Sequence, residues 1–216
     1  MSDSMKEKPV RRSQADRRDD MRRRLAAATL DALSDHGQAG ASLSVILDRA
    51  GVSRGAWAHH FDTKAEMLAL AAEGLLRDAV ETARALSPPV DLPADLPVED
   101  RLAAMVEAAW TRFYTGRHRD LLFEVALAAR TDAELRDRLA PIFTGFLAAI
   151  GGNWGLALGG AGAAMAELMV LTIYMLRGMA MQELAAGPVS DHAALRALWV
   201  RILAGHLCRA PASPAA

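Results

Sequence analysis

The sequence has little cysteine, and its first residues lack a long apolar run; each shortage argues against a class of protein. Its single cysteine, Cys208, has no partner for an intrachain disulfide, which excludes a disulfide-stapled fold and makes a reducing compartment the simpler expectation. We expect Cys208 to be a buried structural thiol. The first 24 residues are charged throughout and lack the apolar core of a secretory signal. Together these features predict a cytoplasmic protein.

Aromatic residues are also scarce, at 5% of the chain, although apolar residues make up 52%. The apolar excess is Ala, Leu and Met, which favour helices over strands. No strand pattern and no internal repeat is visible along the chain. The composition therefore predicts an all-α fold.

The net charge of −1 is small, but the charges are unevenly distributed. Residues 1–64 carry 12 Lys and Arg against 9 Asp and Glu, so the front of the chain is basic and the remainder is acidic. A basic end suggests a polyanionic partner, yet this excess alone does not separate a nucleic-acid-binding arm from a solvated charged helix. Residues 1–21 are predicted to form a charged, flexible arm.

Apolar residues recur at helical spacing in nine stretches, and capping residues mark several of their ends. Ser42, Ser53 and Thr63 are expected to cap helices, the last in a capping box with Glu66. Gly37 and Gly51 are expected to stop them, Pro141 to bend one, and four prolines between residues 88 and 97 to form a surface loop. The predicted helices span residues 22–33, 43–50, 54–61, 63–85, 98–114, 119–129, 133–150, 162–185 and 191–209.

Residues 154–176 contain Glu167 as their only charge and are long enough to span a bilayer. The carboxylate, the glycines near the front and the lack of a second span argue against insertion. The alternative is a helix buried on all sides, which joins the apolar stripe of the last helix in a four-helix dimer interface. The residues predicted for this interface are Leu168, Leu171, Met175, Leu195, Leu198, Trp199 and Ile202.

Two short helices joined by a tight turn predict a helix-turn-helix within residues 22–70. Gly51 can adopt a positive φ where the chain reverses, and Ser53 can cap the second helix. Val52 and Trp57 are expected to tie the two helices together. The second helix is short because its first turn must enter a DNA major groove.

The outward residues of that second helix are the predicted readers of DNA. The Arg54 guanidinium can donate two hydrogen bonds to the O6 and N7 edge of a guanine, and Gly55 and Ala56 permit close approach to a thymine methyl. Nearby hydroxyl, imidazole and ammonium groups suit phosphate contacts. The predicted DNA-binding residues are Ser42, Ser53, Arg54, Gly55, Ala56, His59, His60, Thr63 and Lys64. A metal site at the two histidines is not expected, because adjacent side chains point about 100° apart on a helix.

Four features resemble the N-terminal domain of the tetracycline-repressor (TetR) family: AGVS at the turn, RG opening the next helix, HHF closing it, and Lys before the following helix. The resemblance covers residues 22–75. It implies a transcriptional regulator, not an enzyme, that binds double-stranded DNA as a homodimer. Residues 71–216 are similar only in helical layout to the family's ligand-binding and dimerisation domain. That layout implies a repressor released from a palindromic operator by a small apolar effector.

Aromatic and methionine side chains of the second domain could line the effector pocket. Taken alone they favour an ordinary core, and the resemblance favours a pocket. The predicted ligand-binding residues are Trp110, Phe113, Tyr114, Phe123, Met165, Met169 and Tyr174.

Two positions depart from the family's pattern. Leu47 stands where a small residue is usual, and Ala58 stands where a tyrosine often contacts the DNA backbone. The arginine-rich arm could supply replacement phosphate contacts or could be a solvated segment.

Catalytic motifs are incomplete throughout the chain. HRDL at residues 118–121 resembles a kinase catalytic loop, but Val125 stands where the metal-binding Asn would be. The glycine-rich segment at residue 159 lacks the preceding strand and third glycine of a dinucleotide-binding loop. We therefore expect no enzymatic activity, cofactor or metal. The alternative to a regulator is a helical scaffold or membrane-associated protein without sequence-specific DNA binding.

Overall fold

The computed structural model describes residues 13–85, 95–158 and 163–208, in which the chain forms nine α-helices and no strand. This confirms the predicted all-α fold. The helices are α1 Gln14–Gly40, α2 Leu43–Ala50, α3 Arg54–Ala58, α4 Lys64–Ala85, α5 Val98–Phe113, α6 Gly116–Thr131, α7 Ala133–Leu158, α8 Ala163–Ala186 and α9 His192–Leu207. Residues 1–12 of the predicted arm, residues 88–94 of the predicted loop, the predicted helix start at 162 and the predicted helix end at 209 lie outside the described residues.

The chain divides into two compact units, Met1–Ala71 and Ala72–Ala216. The division falls within α4, whose backbone continues from one unit into the other. In the first unit α1 packs on α2, and Leu25, Ile46 and Met67 are fully buried. In the second unit α5 packs on α9 and α7 packs on α8. Each unit has its own apolar core. Each fully buried Leu or Ile in it contributes roughly 1.5–3 kcal/mol to the stability of the fold.

Helix α1 begins eight residues earlier than the apolar pattern predicts. The Ser13 hydroxyl accepts from the Asp16 N–H at 3.0 Å, and the Asp16 carboxylate accepts from the Ser13 N–H at 2.9 Å. This capping box starts a helix before the first buried residue, so residues 14–21 of the predicted arm are helical. The predicted stop at Gly37 is a break inside α1, where φ is +63°.

Helix α3 ends three residues earlier than predicted. The N–H groups of His60 and Phe61 both donate to the carbonyl of Trp57, at 2.8 and 3.1 Å, and this tightens the last turn. Helix α7 extends eight residues beyond the predicted end and continues past Pro141.

The apolar residues 154–176 are divided between the end of α7 and the start of α8, so α7 includes residues 154–158, which lay between two predicted helices. Within the described ranges, no helix combines the length and the apolar character that crossing a bilayer requires. The prediction for Cys208 was wrong: it follows the last residue of α9 and is exposed.

Candidate DNA-binding and ligand-binding sites

The turn between α2 and α3 is a Schellman motif built on Gly51. This residue has φ +62° and ψ 40°, in the left-handed region that favours glycine. Its N–H donates to the Asp48 carbonyl at 3.1 Å, and the Val52 N–H donates to the Leu47 carbonyl at 3.0 Å. Because any other L-residue would be strained here, the position of α3 depends on this glycine.

One side of helix α3 is buried and the other is exposed. Ser53 caps the helix, its hydroxyl accepting from the Ala56 N–H at 3.1 Å. Trp57 is only 9% exposed and packs into the core of the first unit. Arg54 and Gly55 are exposed, and a Cβ added to Gly55 would meet nothing within 4 Å. The exposed surface of α3 is therefore open for close approach by a large partner.

Two arginines of α1 brace this arrangement from within. Arg24 Nη2 donates to the Ala50 carbonyl at 2.7 Å, at the end of α2. Arg22 Nη1 donates to the His60 carbonyl at 2.7 Å, just after α3. Both guanidiniums therefore satisfy backbone carbonyls that the helix ends leave without partners.

A basic groove lies beside α3. It is lined by Gln14, Ala15, Arg17, Arg18, Met21, His59 and His60. Desolvation lowers the pKa of His60, and the charges of Arg18, Arg22 and His59 lower it further. His60 is therefore neutral near pH 7, and arginines supply the positive charge of the groove. Arg17 and Arg18 were predicted to lie in the arm; the Ser13–Asp16 capping pattern is the signal that could have placed them on a helix.

At the start of α4, one of the two hydrogen bonds of the predicted capping box is present and the other comes from a neighbouring residue. The Thr63 hydroxyl accepts from the Glu66 N–H at 3.0 Å, as predicted. The Glu66 carboxylate, however, accepts from the Asp62 N–H at 3.0 Å, one residue before the cap. Glu66 is also 3.7 Å from the Arg22 guanidinium, which explains how its side chain is held.

All nine predicted DNA-binding residues lie in the first unit. Ser42, like Ser53 and Thr63, caps a helix; its hydroxyl accepts from the Val45 N–H at 3.3 Å. The remaining residues are exposed or half-buried: Arg54, Gly55, Ala56, His59, His60 and Lys64. Arg54 makes no hydrogen bond or ion pair with any other residue that the structure describes. Ala58, which replaces the family's usual tyrosine, is exposed as well.

The second unit contains a small cavity of about 20 Å³ that opens to solvent, so a ligand would have to displace side chains of its wall. Phe113 and Tyr114, two of the predicted ligand-binding residues, line it. The other lining residues were not predicted from the sequence; they are Leu76, Ala79, His118, Leu122, Ile142, Phe143, Phe146 and Arg177.

The other five predicted ligand-binding residues do not line this cavity. Trp110 packs between α5 and α9, where the Arg196 guanidinium lies 4.4 Å from its ring centroid. Phe123 and Met169 are buried in the core, and Met165 is half-buried. Tyr174 is 57% exposed, because it lies on the outer face of α8.

Three polar side chains interrupt the apolar wall of the cavity. Tyr114 is 2% exposed and hydrogen-bonds to Arg177. Burial raises the pKa of its hydroxyl, and the Arg177 charge opposes that rise. Burial also lowers the pKa of His118, with a further contribution from Arg112 that Asp78 partly offsets. Arg177 could have been found from the sequence, since it is the only charge between Glu167 and Glu183.

Helices α8 and α9 present an exposed apolar face. Four of the seven predicted interface residues are 42–52% exposed: Leu171, Leu195, Leu198 and Ile202. Leu168, Met175 and Trp199 are half-buried, and Trp199 Nε1 donates to the Thr172 hydroxyl at 2.9 Å. We call Leu171, Tyr174, Leu195, Leu198 and Ile202 the α8/α9 face. Contiguous apolar surface of this kind marks interaction sites.

Among the described residues, no group of three or more His, Cys, Asp or Glu side chains could hold a metal ion.

Comparison with known proteins agrees with this geometry. Residues 25–71 match the family model of bacterial regulatory proteins, tetR family. The uncharacterized HTH-type transcriptional regulator Rv2912c of Mycobacterium tuberculosis is 35% identical over 139 residues, which are 64% of this chain and 68% of the relative.

Solved structures share the fold. A transcriptional regulator from Rhodococcus sp. Rha1 superposes with a TM-score of 0.61 at 26% identity, covering 87% of this chain and 96% of that one. The multidrug binding protein EbrR, solved in complex with imidazole, gives a TM-score of 0.61 at 19% identity, covering 90% and 98%. The chain belongs to the TetR family of bacterial transcriptional regulators, which bind DNA and are not enzymes.

Proposed function

We propose that the protein is a homodimeric repressor that binds a palindromic operator and is released from it by a small effector with an apolar body. The observation that carries the proposal is the course of α4. Its first residues follow the recognition helix in the first unit, and Leu76 and Ala79 on the same helix line the cavity of the second. A ligand that displaces these two side chains acts on a helix that begins at the DNA-reading head.

The assigned reader of the operator is Arg54. It is exposed, carries a full charge and has no described partner, so its guanidinium is available for a guanine edge. Gly55 leaves room for the duplex to approach, and the groove with Arg17 and Arg18 supplies phosphate attraction that does not depend on sequence.

Dimerisation is assigned to the α8/α9 face. A dimer would bury four to five side chains of this size from each of two chains. Each Å² of apolar surface removed from water stabilises the dimer by roughly 25 cal/mol. A palindromic operator requires the two copies of α3 in the dimer to lie about 34–36 Å or a multiple apart. An effector that favours a different spacing would reduce operator affinity by the coupling free energy, about 1–3 kcal/mol.

The test is selection of duplexes from a random library, followed by binding titrations of the selected and a scrambled duplex at several salt concentrations. Arg54→Ala is expected to lose about 1–3 kcal/mol of discrimination between the two duplexes. Arg54→Lys is the matched control for charge. It is expected to keep the salt dependence and to lose selectivity, because an ammonium lacks the planar fork of the guanidinium.

The proposal fails if no palindromic sequence is enriched, or if both Arg54 variants retain the selectivity of the parent protein. Lys64→Ala serves as a phosphate-contact variant. It is expected to weaken binding to both duplexes equally and to reduce the salt slope by about one.

A further inference from the structure

We infer that the cavity of the second unit binds an apolar monocarboxylate, whose carboxylate pairs with Arg177 and Tyr114 while its hydrocarbon body fills the apolar wall. This inference rests on the proposed effector site and specifies the chemical class of its ligand.

Arg177 has no carboxylate partner among the described residues, unlike Arg138 and Arg196 of the same unit. Arg138 pairs with Glu73 at 2.6 Å, and Arg196 pairs with Glu107 at 2.7 Å. No described carboxylate lies within 4 Å of Arg177, and its Nε is buried without a hydrogen-bond partner. A guanidinium stays protonated in proteins, and a buried charge without a counter-ion is costly. An anionic ligand in the adjacent cavity would supply the missing carboxylate.

Tyr114 offers a second donor at the same end of the cavity. Arginine has no acceptor, so in the hydrogen bond between the two residues the guanidinium donates and the hydroxyl oxygen accepts. The hydroxyl proton is then free to point elsewhere. Burial holds the pKa of this hydroxyl above its ordinary value, so the proton is present at neutral pH. Two donors side by side match the two oxygens of one carboxylate.

The rest of the wall limits the ligand to one negative charge and a hydrocarbon body. Seven lining residues are aliphatic or phenylalanine. The eighth, His118, is held neutral near pH 7 because burial and Arg112 lower its pKa. An inorganic anion would leave this apolar surface unfilled, and a dianion would bring one charge more than Arg177 neutralises.

The experiment is calorimetric titration of the full-length protein, without DNA, with straight-chain carboxylates from hexanoate to dodecanoate, each beside its neutral carboxamide. At least one carboxylate is expected to bind about tenfold or more tightly than the carboxamide of the same length. Arg177→Gln is expected to remove this preference, and Tyr114→Phe to reduce it. Arg84→Gln, at an exposed ion pair at the end of α4, is the control and is expected to keep the preference.

Equal affinity for acid and amide, binding of neither series, or a carboxylate preference that survives Arg177→Gln would overturn the inference. Circular dichroism shows whether each variant is folded, and Tyr114→Phe preserves the ring if Arg177→Gln does not fold. Operator binding and release are measured separately. A protein that binds its operator and is released by a neutral compound would keep the proposed function while refuting the anionic ligand.

Discussion

Arg22 lies over the ring of Phe61, with its Cζ 4.5 Å from the ring centroid. The same guanidinium donates to the carbonyl of His60, so one side chain of α1 is fixed to the segment that leaves α3. These contacts hold the segment that follows α3 against α1. Removal of Arg22 should therefore affect folding before it affects specificity.

We expect Arg22→Gln to lower the free energy of unfolding of the first unit by about 1–3 kcal/mol, since a charged hydrogen bond and a cation–π contact are lost. The ion pair with Glu66, at 3.7 Å and partly exposed, should add little. Urea denaturation measures the change. Arg23→Gln is the control, because its side chain is 70% exposed, and it should change stability by less than about 0.5 kcal/mol. Equal losses of unfolding free energy in the two variants would show that the contacts of Arg22 with His60 and Phe61 do not stabilise the first unit.

Gly55→Ala should separate folding from DNA binding. The added Cβ meets nothing within 4 Å, and alanine is favoured over glycine inside a helix by about 1 kcal/mol, so thermal stability should stay equal or rise. Operator affinity should fall, because the methyl group would lie on the surface that we propose approaches the duplex. Gly74→Ala, equally open and exposed on α4, is the matched control and should leave affinity unchanged. Parent-like affinity of Gly55→Ala would remove Gly55 from the interface.

Stability should fall on mild acidification, partly through His118. Burial, with Arg112, lowers its pKa below the ordinary value of 6.5. Between the folded and unfolded pKa values the unfolded state binds more protons, so this contribution is complete above pH 6.5 and is lost as the pH falls through the folded pKa. Thermal melts from pH 7.5 to 5.0 should show a shallower decline for His118→Gln than for the parent. The exposed His206→Gln should not alter the decline, and an unchanged profile for His118→Gln would refute the assignment.

Ile202→Glu should convert the proposed dimer into a monomer that remains folded. Ile202 is 51% exposed, so the monomer tolerates a charge there, whereas burial of an unpaired carboxylate costs roughly 3 kcal/mol or more. The dimer dissociation constant should rise more than about 100-fold in sedimentation velocity. Leu127→Glu, on α6 and 49% exposed, is the control for an apolar surface residue outside the α8/α9 face. Similar dissociation of both variants, or of neither, would contradict the proposed interface.

The helix-turn-helix could be predicted because its signals are local. Ser42, Gly51 and Ser53 act on backbone groups within five residues of themselves, so their roles follow from spacing alone. The start of α1 was missed because an apolar pattern was required before a helix was assigned. Ser13 and Asp16 form a capping box ahead of any buried residue. The first two turns of α1 are polar and show no apolar periodicity, although this capping box stabilises them as a helix.

The cavity could not be predicted in the same way, because its wall is assembled from five helices. Leu76 and Arg177 lie about a hundred residues apart and line one space only through tertiary packing. Residue type alone also failed to distinguish Phe113, which lines the cavity, from Trp110, which packs under Arg196 three residues earlier on α5. Which face of a buried helix meets empty space depends on its neighbours.

The buried position of Trp57 has a spectroscopic consequence. The chain has four tryptophans, at positions 57, 110, 154 and 199, and Trp57 is the one in the first unit. Replacing the other three with phenylalanine would leave a single fluorophore on the buried side of α3. Its emission would shift to longer wavelength when that helix detaches, regardless of what happens in the second unit. The opening of the DNA-reading head could therefore be followed optically, and on its own, without any attached label.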